Sequence, residues 1–179
     1  SAEVSARGRK MNEDAHASQA IRKIANWLTD DTKKNSLMLY GNCGTGKTTL
    51  IRAIYRAIET LRAQIKLLNP CDYEGGPLAD ILQMPCQYTI SAQSIADIAA
   101  ESKALNGKTE INRYEALKTA PFLAIDDLGC EPDKVKNFGT EITPVTDVLY
   151  ARYDRLLPTI ISTNLDRSMI RKVYGDRIA

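Results

Sequence analysis

A chain of 179 residues is long enough for one domain with a substantial core, and 44% hydrophobic with 26% charged residues is typical of a soluble globular protein. No apolar run approaches the length of a membrane span and no signal peptide is visible, so we expect a cytoplasmic protein with no membrane partner. The net charge of +2 neither requires nor excludes a nucleic-acid partner.

The first predicted element is a helix from Asn12 to about Leu28, which follows a polar, basic arm. Asn12 is suited to cap this helix, and we expect Trp27 to pack against the core rather than to stack on a base. Its predicted apolar stripe consists of Ile21, Ile24, Ala25 and Leu28. With a polar connector, these elements make up a predicted segment 1–35 that precedes the main domain, 36–179.

The stretch from Gly41 to Thr48 fits the phosphate-binding pattern G-x-x-x-x-G-K-S/T. The apolar run Ser36–Tyr40 before it predicts a buried strand, and apolar residues spaced by three and four after it predict a helix to about Lys66. In such a loop glycines let backbone N–H groups close around phosphates, while the lysine reaches the β- and γ-phosphates and the hydroxyl ligates Mg²⁺.

We therefore predict a nucleotide site with Mg²⁺ at this loop. Lys47 is in addition a predicted catalytic residue, and Thr48 a predicted metal ligand. The predicted nucleotide-binding residues are Gly41, Asn42, Cys43, Gly44, Thr45, Gly46, Lys47, Thr48 and Thr49.

The four cysteines form no C-x-x-C pair and are accompanied by a single histidine, which argues against a zinc site. Because a disulfide at Cys43 would obstruct the phosphate loop, we expect a reducing compartment.

The stretch Leu67–Gln87 is rich in proline and glycine and predicts a long loop, for which we have no role. Tyr88–Ile90 then predicts a second strand. Ser91 or Ser94 is expected to cap the following helix, and another helix is expected after the turn at Asn106-Gly107.

The run Pro121–Ile125 predicts a third buried strand, which ends in two carboxylates. Ligands of open parallel sheets bind beyond the carboxyl ends of the strands, so this end is expected beside the phosphate loop. Asp126 is then the predicted Walker B ligand of Mg²⁺, and Asp127 the predicted catalytic residue that orients or deprotonates the attacking water. A plain Asp-Asp turn after a strand is the alternative, but the upstream P-loop favours the functional interpretation.

The stretch Glu131–Glu141 is polar and contains Gly139, and Thr143 followed by Pro144 predicts a capped helix start. That helix carries an apolar face that also includes Arg152. Pro158–Asn164 predicts another buried strand, whose Asn164 should lie at the same edge of the sheet as the acids.

A last helix is expected to be capped by Asp166 and closed by Gly175. Its predicted apolar residues are Met169, Ile170, Val173 and Tyr174.

The order of these motifs resembles the DnaC-like helicase loaders and the ATP-binding helper proteins of some transposons, which are AAA+ ATPases. The resemblance extends from about Leu37 to the last residue and rests on the P-loop, Asp126 to Gly129, Arg152-Tyr153 and Ser162 to Asn164. It implies an α/β fold, a three-layer αβα P-loop NTPase with a parallel sheet. It also implies that Asn164 is the catalytic sensor-1 residue, which reads the γ-phosphate.

The same resemblance implies ATP and Mg²⁺ as cofactors, weak hydrolysis by an isolated monomer, and ATP-dependent assembly into a homo-oligomer. The implied partners are a replicative helicase or a transposase, and single-stranded DNA. The residues Gly175 to Ala179 match the start of the box that carries the arginine finger in the family. In family members a second arginine that follows a few residues later is the likelier finger, and this sequence stops before it. The last strand and lid are expected to be missing as well, so the sequence does not assign the arginine finger, to Arg177 or to another residue.

Two other functions remain open on the sequence alone. A small-molecule or nucleotide kinase would use the same phosphate loop, although we see no arginine-rich lid between the strands. A nucleotide-regulated interaction module without significant hydrolysis would also keep the loop.

Overall fold

A computed structural model describes residues 15–29, 36–65, 87–101, 108–132, 134–137 and 140–179. Its strands are β1 (Ser36–Tyr40), β2 (Gln87–Ser91), β3 (Phe122–Leu128), β4 (Val135–Asn137), β5 (Thr140–Ile142) and β6 (Thr159–Thr163). Its helices are α1 (Ala15–Thr29), α2 (Lys47–Ile65), α3 (Ala92–Glu101), α4 (Lys108–Thr119), α5 (Pro144–Asp154) and α6 (Arg167–Tyr174).

Four strands form one parallel sheet in the order β1-β6-β3-β2. All of β6 is buried, as expected for a central strand that is covered on both faces. The carboxyl ends of β1, β6 and β3 therefore lie side by side at one edge of the sheet.

Helices cover both faces of this sheet. Alternate residues of a strand point to opposite faces, and Phe122 and Ala124 pack in one apolar cluster while Leu123 and Ile125 pack in another. The first cluster contains residues of α1 and α2, and the second contains residues of α3, α4, α5 and α6. The predicted three-layer α/β fold with a parallel sheet is confirmed.

The amino-terminal helix α1 packs onto the first of these clusters. Ile24 and Trp27 are buried against α2, so Trp27 has the packing role expected of it. Two residues of the predicted stripe, Ile21 and Ala25, are instead exposed, because the buried face runs through Trp27. The proposed cap Asn12 lies outside the described residues.

The segment before α5 contains two short strands for which the sequence offers no prediction, and β4 and β5 pair antiparallel. Thr143 precedes α5, but its side chain makes no capping hydrogen bond, so Pro144 at the first helical position is the feature that marks this helix start. By contrast, the Ser91 hydroxyl accepts the backbone N–H of Ser94 and caps α3 as expected.

The last helix, α6, is capped as predicted, since the Asp166 carboxylate accepts the backbone N–H of Met169. Only Ile170 and Tyr174 of its predicted apolar residues are buried, whereas Met169 and Val173 are exposed. Most of the predicted loop Leu67–Gln87 and the turn at Asn106-Gly107 lie outside the described residues. Within the described part of the chain, no helix combines the length and apolar character needed to cross a bilayer.

Candidate nucleotide-binding site

The glycine-rich loop connects the end of β1 to the start of α2. Gly44 and Gly46 have φ angles of 82° and 88°, a region that L side chains rarely adopt. A Cβ atom added at either glycine would meet nothing within 4 Å. The loop therefore curves around open space in front of the α2 amino terminus, and this cradle fits a phosphate group.

Lys47, the first residue of α2, reaches back across this loop. Its ammonium donates to the carbonyl oxygens of Gly41 at 2.6 Å and Asn42 at 3.0 Å, and to Oδ1 of Asn164 at 2.6 Å. The last contact joins the P-loop to the residue that follows β6, across 117 positions of sequence. Because an ammonium only donates, the Asn164 oxygen must face it, and the amide N–H groups point elsewhere.

Thr48 and Asp126 form a second contact between distant parts of the chain. The Thr48 hydroxyl donates to Oδ1 of Asp126 at 3.2 Å. A carboxylate and a hydroxyl are hard oxygen ligands of the kind that Mg²⁺ accepts, usually together with substrate phosphates and water. Among the described residues, no group of three or more His, Cys, Asp and Glu side chains is placed to hold a metal ion. The donor set thus fits a magnesium ion that is bound jointly with a nucleotide.

Asp126 and Asp127 lie near the carboxyl end of β3, and the strand extends one residue beyond them, to Leu128. The pairing of β3 with β6 shifts between Ile125 and Leu128, so the strand bulges at the two acids and continues beyond them. Asp127 is exposed and has a φ angle of 56°, which is uncommon for a residue with a side chain. The Asp126 carboxylate contacts Thr48 and Ser162, whereas Asp127 is exposed.

Two cysteines lie near this edge of the sheet and both are free and exposed. Cys43 is part of the loop, and Cys130 follows the end of β3. Although Cys130 is exposed, partial desolvation of its thiol, with smaller contributions from the charges of Asp127 and Glu131, raises its pKa above the usual value. This thiol is therefore protonated at neutral pH and a weak nucleophile.

The structure thus brings Lys47, Thr48, Asp126 and Asn164 together, and it leaves Asp127 exposed to solvent on the same bulge. Thr49 lies in the first turn of α2, beside Thr48. The roles assigned to these residues stay predictions.

Sequence reasoning missed Ser162, whose buried hydroxyl contacts both acids of β3. Its only signal was its place in a polar triplet at the end of an apolar strand.

Arg177 lies against α5 and away from the loop contacts described above. Its guanidinium pairs with Asp154 at 3.2 Å, and it lies 5.3 Å from the ring centre of Tyr153 and 5.7 Å from that of Tyr150. These contacts assign it no part in the site of its own chain.

Solved structures share this architecture. The crystal structure of the DnaI protein aligns over 92% of this chain and 74% of that chain, with a TM-score of 0.58 and 20% identity. The crystal structure of the DnaC helicase loader aligns over 94% of this chain and 86% of that chain, with a TM-score of 0.52 and 18% identity. The chain has the fold of the DnaC-like helicase loaders. The resemblance expected from the motifs is confirmed at the level of the fold.

Two further comparisons are with DnaA proteins. Residues 8–69, which include the P-loop, match the family model described as "Bacterial DnaA ATPAse domain". The structure of AMPPCP-bound DnaA from Aquifex aeolicus aligns over 93% of this chain and 46% of that chain at 16% identity, but its TM-score of 0.46 is too low to support a structural conclusion. Curated protein sequences contain no significant match.

Proposed function

We propose that this chain is an ATP-binding and slowly hydrolysing AAA+ protein of the helicase-loader type, which acts in DNA replication or in mobile-element transposition. ATP switches its assembly and its binding of single-stranded DNA and of a replicative helicase or transposase. The proposal is supported by the loader fold and by the match of the P-loop segment to a DnaA-type ATPase domain.

One observation carries the nucleotide-binding part of this proposal. Lys47 contacts Asn164, which lies 117 positions away in the sequence, and Thr48 contacts Asp126, which lies 78 positions away. Both contacts lie at the carboxyl edge of the sheet, around the open glycine cradle. A chance match to the P-loop pattern would not bring these polar partners to the same edge.

Each residue then has a chemical role. The Lys47 ammonium exchanges its loop carbonyl acceptors for phosphate oxygens, and the Asn164 amide N–H groups donate to the γ-phosphate while its oxygen still faces Lys47. Thr48 and Asp126 hold Mg²⁺, which neutralises phosphate charge when bound. Asp127, exposed on its bulge, orients or deprotonates water.

Hydrolysis at such a site depends on positioning and charge stabilisation, with little covalent chemistry by the protein. An arginine supplied by a neighbouring subunit would raise the rate by roughly 10³-fold or more. We therefore expect slow turnover for the isolated monomer and a specific activity that increases with protein concentration as subunits assemble.

Nucleotide titration tests the binding site. Lys47→Ala should abolish ATP binding in the presence of Mg²⁺, because the ammonium contacts phosphate directly. Lys172→Ala, which removes an exposed lysine of α6, should bind like the wild type. Equal affinity of wild type and Lys47→Ala would remove the P-loop interpretation.

The product of the reaction tests the function class. Release of inorganic phosphate that increases with single-stranded DNA or with assembly supports the loader-type ATPase. Transfer of phosphate to added nucleosides or nucleotides would support a kinase instead. Tight ATP binding without turnover under all these conditions would identify a nucleotide-regulated interaction module.

A further inference from the structure

We propose that Ser162 of β6 is a positioning residue, whose hydroxyl orients the magnesium ligand Asp126 and fixes the backbone of Asp127. The inference rests on the proposed function, since it concerns the same nucleotide site, and it adds a residue to which no role had been assigned there.

The pairing of β3 with β6 places Ser162 opposite both acids. Ile125 pairs with Ile161, and Leu128 pairs with Thr163. Two residues of β3, the two aspartates, therefore face the single residue Ser162 of β6. This is the count of a β-bulge, in which an extra residue is left without its regular ladder partner.

The Ser162 side chain provides the partner that the ladder lacks. Its oxygen accepts the backbone N–H of Asp127 at 3.0 Å, and its O–H donates to Oδ1 of Asp126 in a short contact. A hydroxyl has one proton to donate, and a carboxylate can only accept. The Ser162 hydroxyl therefore donates to the Asp126 carboxylate and accepts from the Asp127 N–H group. Ser162 is fully buried, with 0% of its surface exposed, so water does not substitute for these bonds.

The two bonds have different consequences for the two acids. Asp126 Oδ1 also accepts the Thr48 hydroxyl at 3.2 Å, so the Ser162 bond directs this carboxylate oxygen towards the second predicted magnesium ligand. The bond to the Asp127 N–H holds its backbone at a φ angle of 56°, which leaves that carboxylate exposed. Ser162 thus connects the predicted metal ligand to the predicted water-activating acid.

Thr163, the next residue of β6, provides a matched control. Its hydroxyl donates to the Leu128 carbonyl at 2.7 Å and accepts the Leu165 N–H at 3.0 Å, and it is fully buried too. Its hydroxyl therefore makes two hydrogen bonds, as the Ser162 hydroxyl does, and one of them reaches the residue of β3 that ends the bulge. It contacts neither aspartate, so it separates a loss of strand stability from a loss of carboxylate orientation.

The test measures the Mg²⁺ concentration that gives half-maximal binding of a fluorescent ATP analogue to the full chain. In Ser162→Ala this concentration should rise about 10- to 100-fold, as for other residues that orient metal ligands. In Thr163→Val it should stay within about threefold of the wild type, although both variants unfold at lower temperature. If Ser162→Ala does not fold, Ser162→Cys replaces it, because a thiol is a much weaker donor and acceptor.

Each result has a distinct meaning. An increase in the required Mg²⁺ concentration that is confined to the Ser162 variant supports the inference. An unchanged Mg²⁺ requirement in that variant, or an equal rise in Thr163→Val, overturns it while Mg²⁺-dependent binding by the wild type still supports the nucleotide site. If the wild type binds the analogue without any dependence on Mg²⁺, the metal site of the proposed function is refuted, and this inference with it.

Discussion

The buried arginine of α5 offers a sharp test of how the fold is held together. Arg152 has 1% of its surface exposed, and within the described part of the chain its guanidinium has no carboxylate partner. It donates to the carbonyl oxygens of Leu117, Ala120 and Pro158 at 2.7–2.9 Å, and to the Thr159 hydroxyl at 2.9 Å. Arg152→Met keeps much of the side-chain volume and removes all four hydrogen bonds.

The expected loss of stability depends on which acceptors of the Arg152 guanidinium also have another hydrogen-bond donor. Pro158 also accepts the Leu123 N–H at 3.2 Å. The helical partner of the Leu117 carbonyl would be residue 121, but that residue is Pro121 and has no N–H. Leu117 and Ala120 are therefore the carbonyls most affected, and leaving two such groups buried costs about 2–6 kcal/mol.

Removal of a buried charge offsets part of this cost. Burial lowers the pKa of Arg152 to about 10, because a site away from water disfavours the charged form of the guanidinium. Methionine also suits an apolar site. We therefore expect the lower half of that range, a decrease in the free energy of unfolding of about 2–4 kcal/mol.

Urea denaturation of Arg152→Met and Arg155→Met measures this difference. Arg155 lies one turn further along and is exposed, and its contacts with the Lys118 and Ala151 carbonyls are long, at 3.5 Å. Its removal should change stability by less than about 0.5 kcal/mol. A similar, small change in the free energy of unfolding of both variants would refute the argument that the Leu117 and Ala120 carbonyls are left without a donor. Folded Arg152→Met should still bind nucleotide normally, since Arg152 contacts the opposite end of β6 from the site.

Two further predictions concern carboxylates. Asp127→Asn should bind ATP with nearly unchanged affinity while phosphate release falls by about 10²-fold or more, and normal turnover would assign the general base elsewhere. The Ser168 hydroxyl and the Met169 N–H hold the pKa of Asp166 below its usual value. This cap therefore stabilises the fold fully above the unfolded pKa near 3.8, and its effect is lost as the pH falls through the lower pKa of the folded state. The difference in melting temperature between wild type and Asp166→Ala should thus stay constant from about pH 5 to 7 and shrink below about pH 4; a difference that persists unchanged into strong acid would contradict this assignment.

Much of the architecture could be read from local patterns because each pattern has a single physical cause. The strand Pro158–Asn164 is an apolar run in the sequence because both faces of β6 are covered. The P-loop is recognisable because Gly44 and Gly46 need positive φ angles, which glycine alone adopts freely. Capping by Asp166 is equally local, since donor and acceptor lie three residues apart.

Features that depend on partners far away in the chain were missed. The strands β4 and β5 have three residues each, too few to show an alternation of apolar and polar residues. The bulge at Asp126 and Asp127 exists only relative to the register of β6, which no pattern within β3 reveals. Arg152 looked like a motif residue on an apolar face, and only the Leu117 and Ala120 carbonyls explain why an arginine belongs there.

The order of the strands explains why one short segment serves both halves of the site. β6 lies between β1, which leads into the P-loop, and β3, which carries the acids. Its end therefore faces two different neighbours: Ser162 bonds to β3, and two residues later Asn164 bonds to Lys47 at the P-loop. Loss of a bound γ-phosphate that displaced Asn164 would also affect the hydrogen bonds of Ser162, because Asn164 lies only two residues further along the chain. We therefore expect Asn164→Ala to lower nucleotide affinity and, unlike Thr163→Val, also to raise the Mg²⁺ requirement for binding.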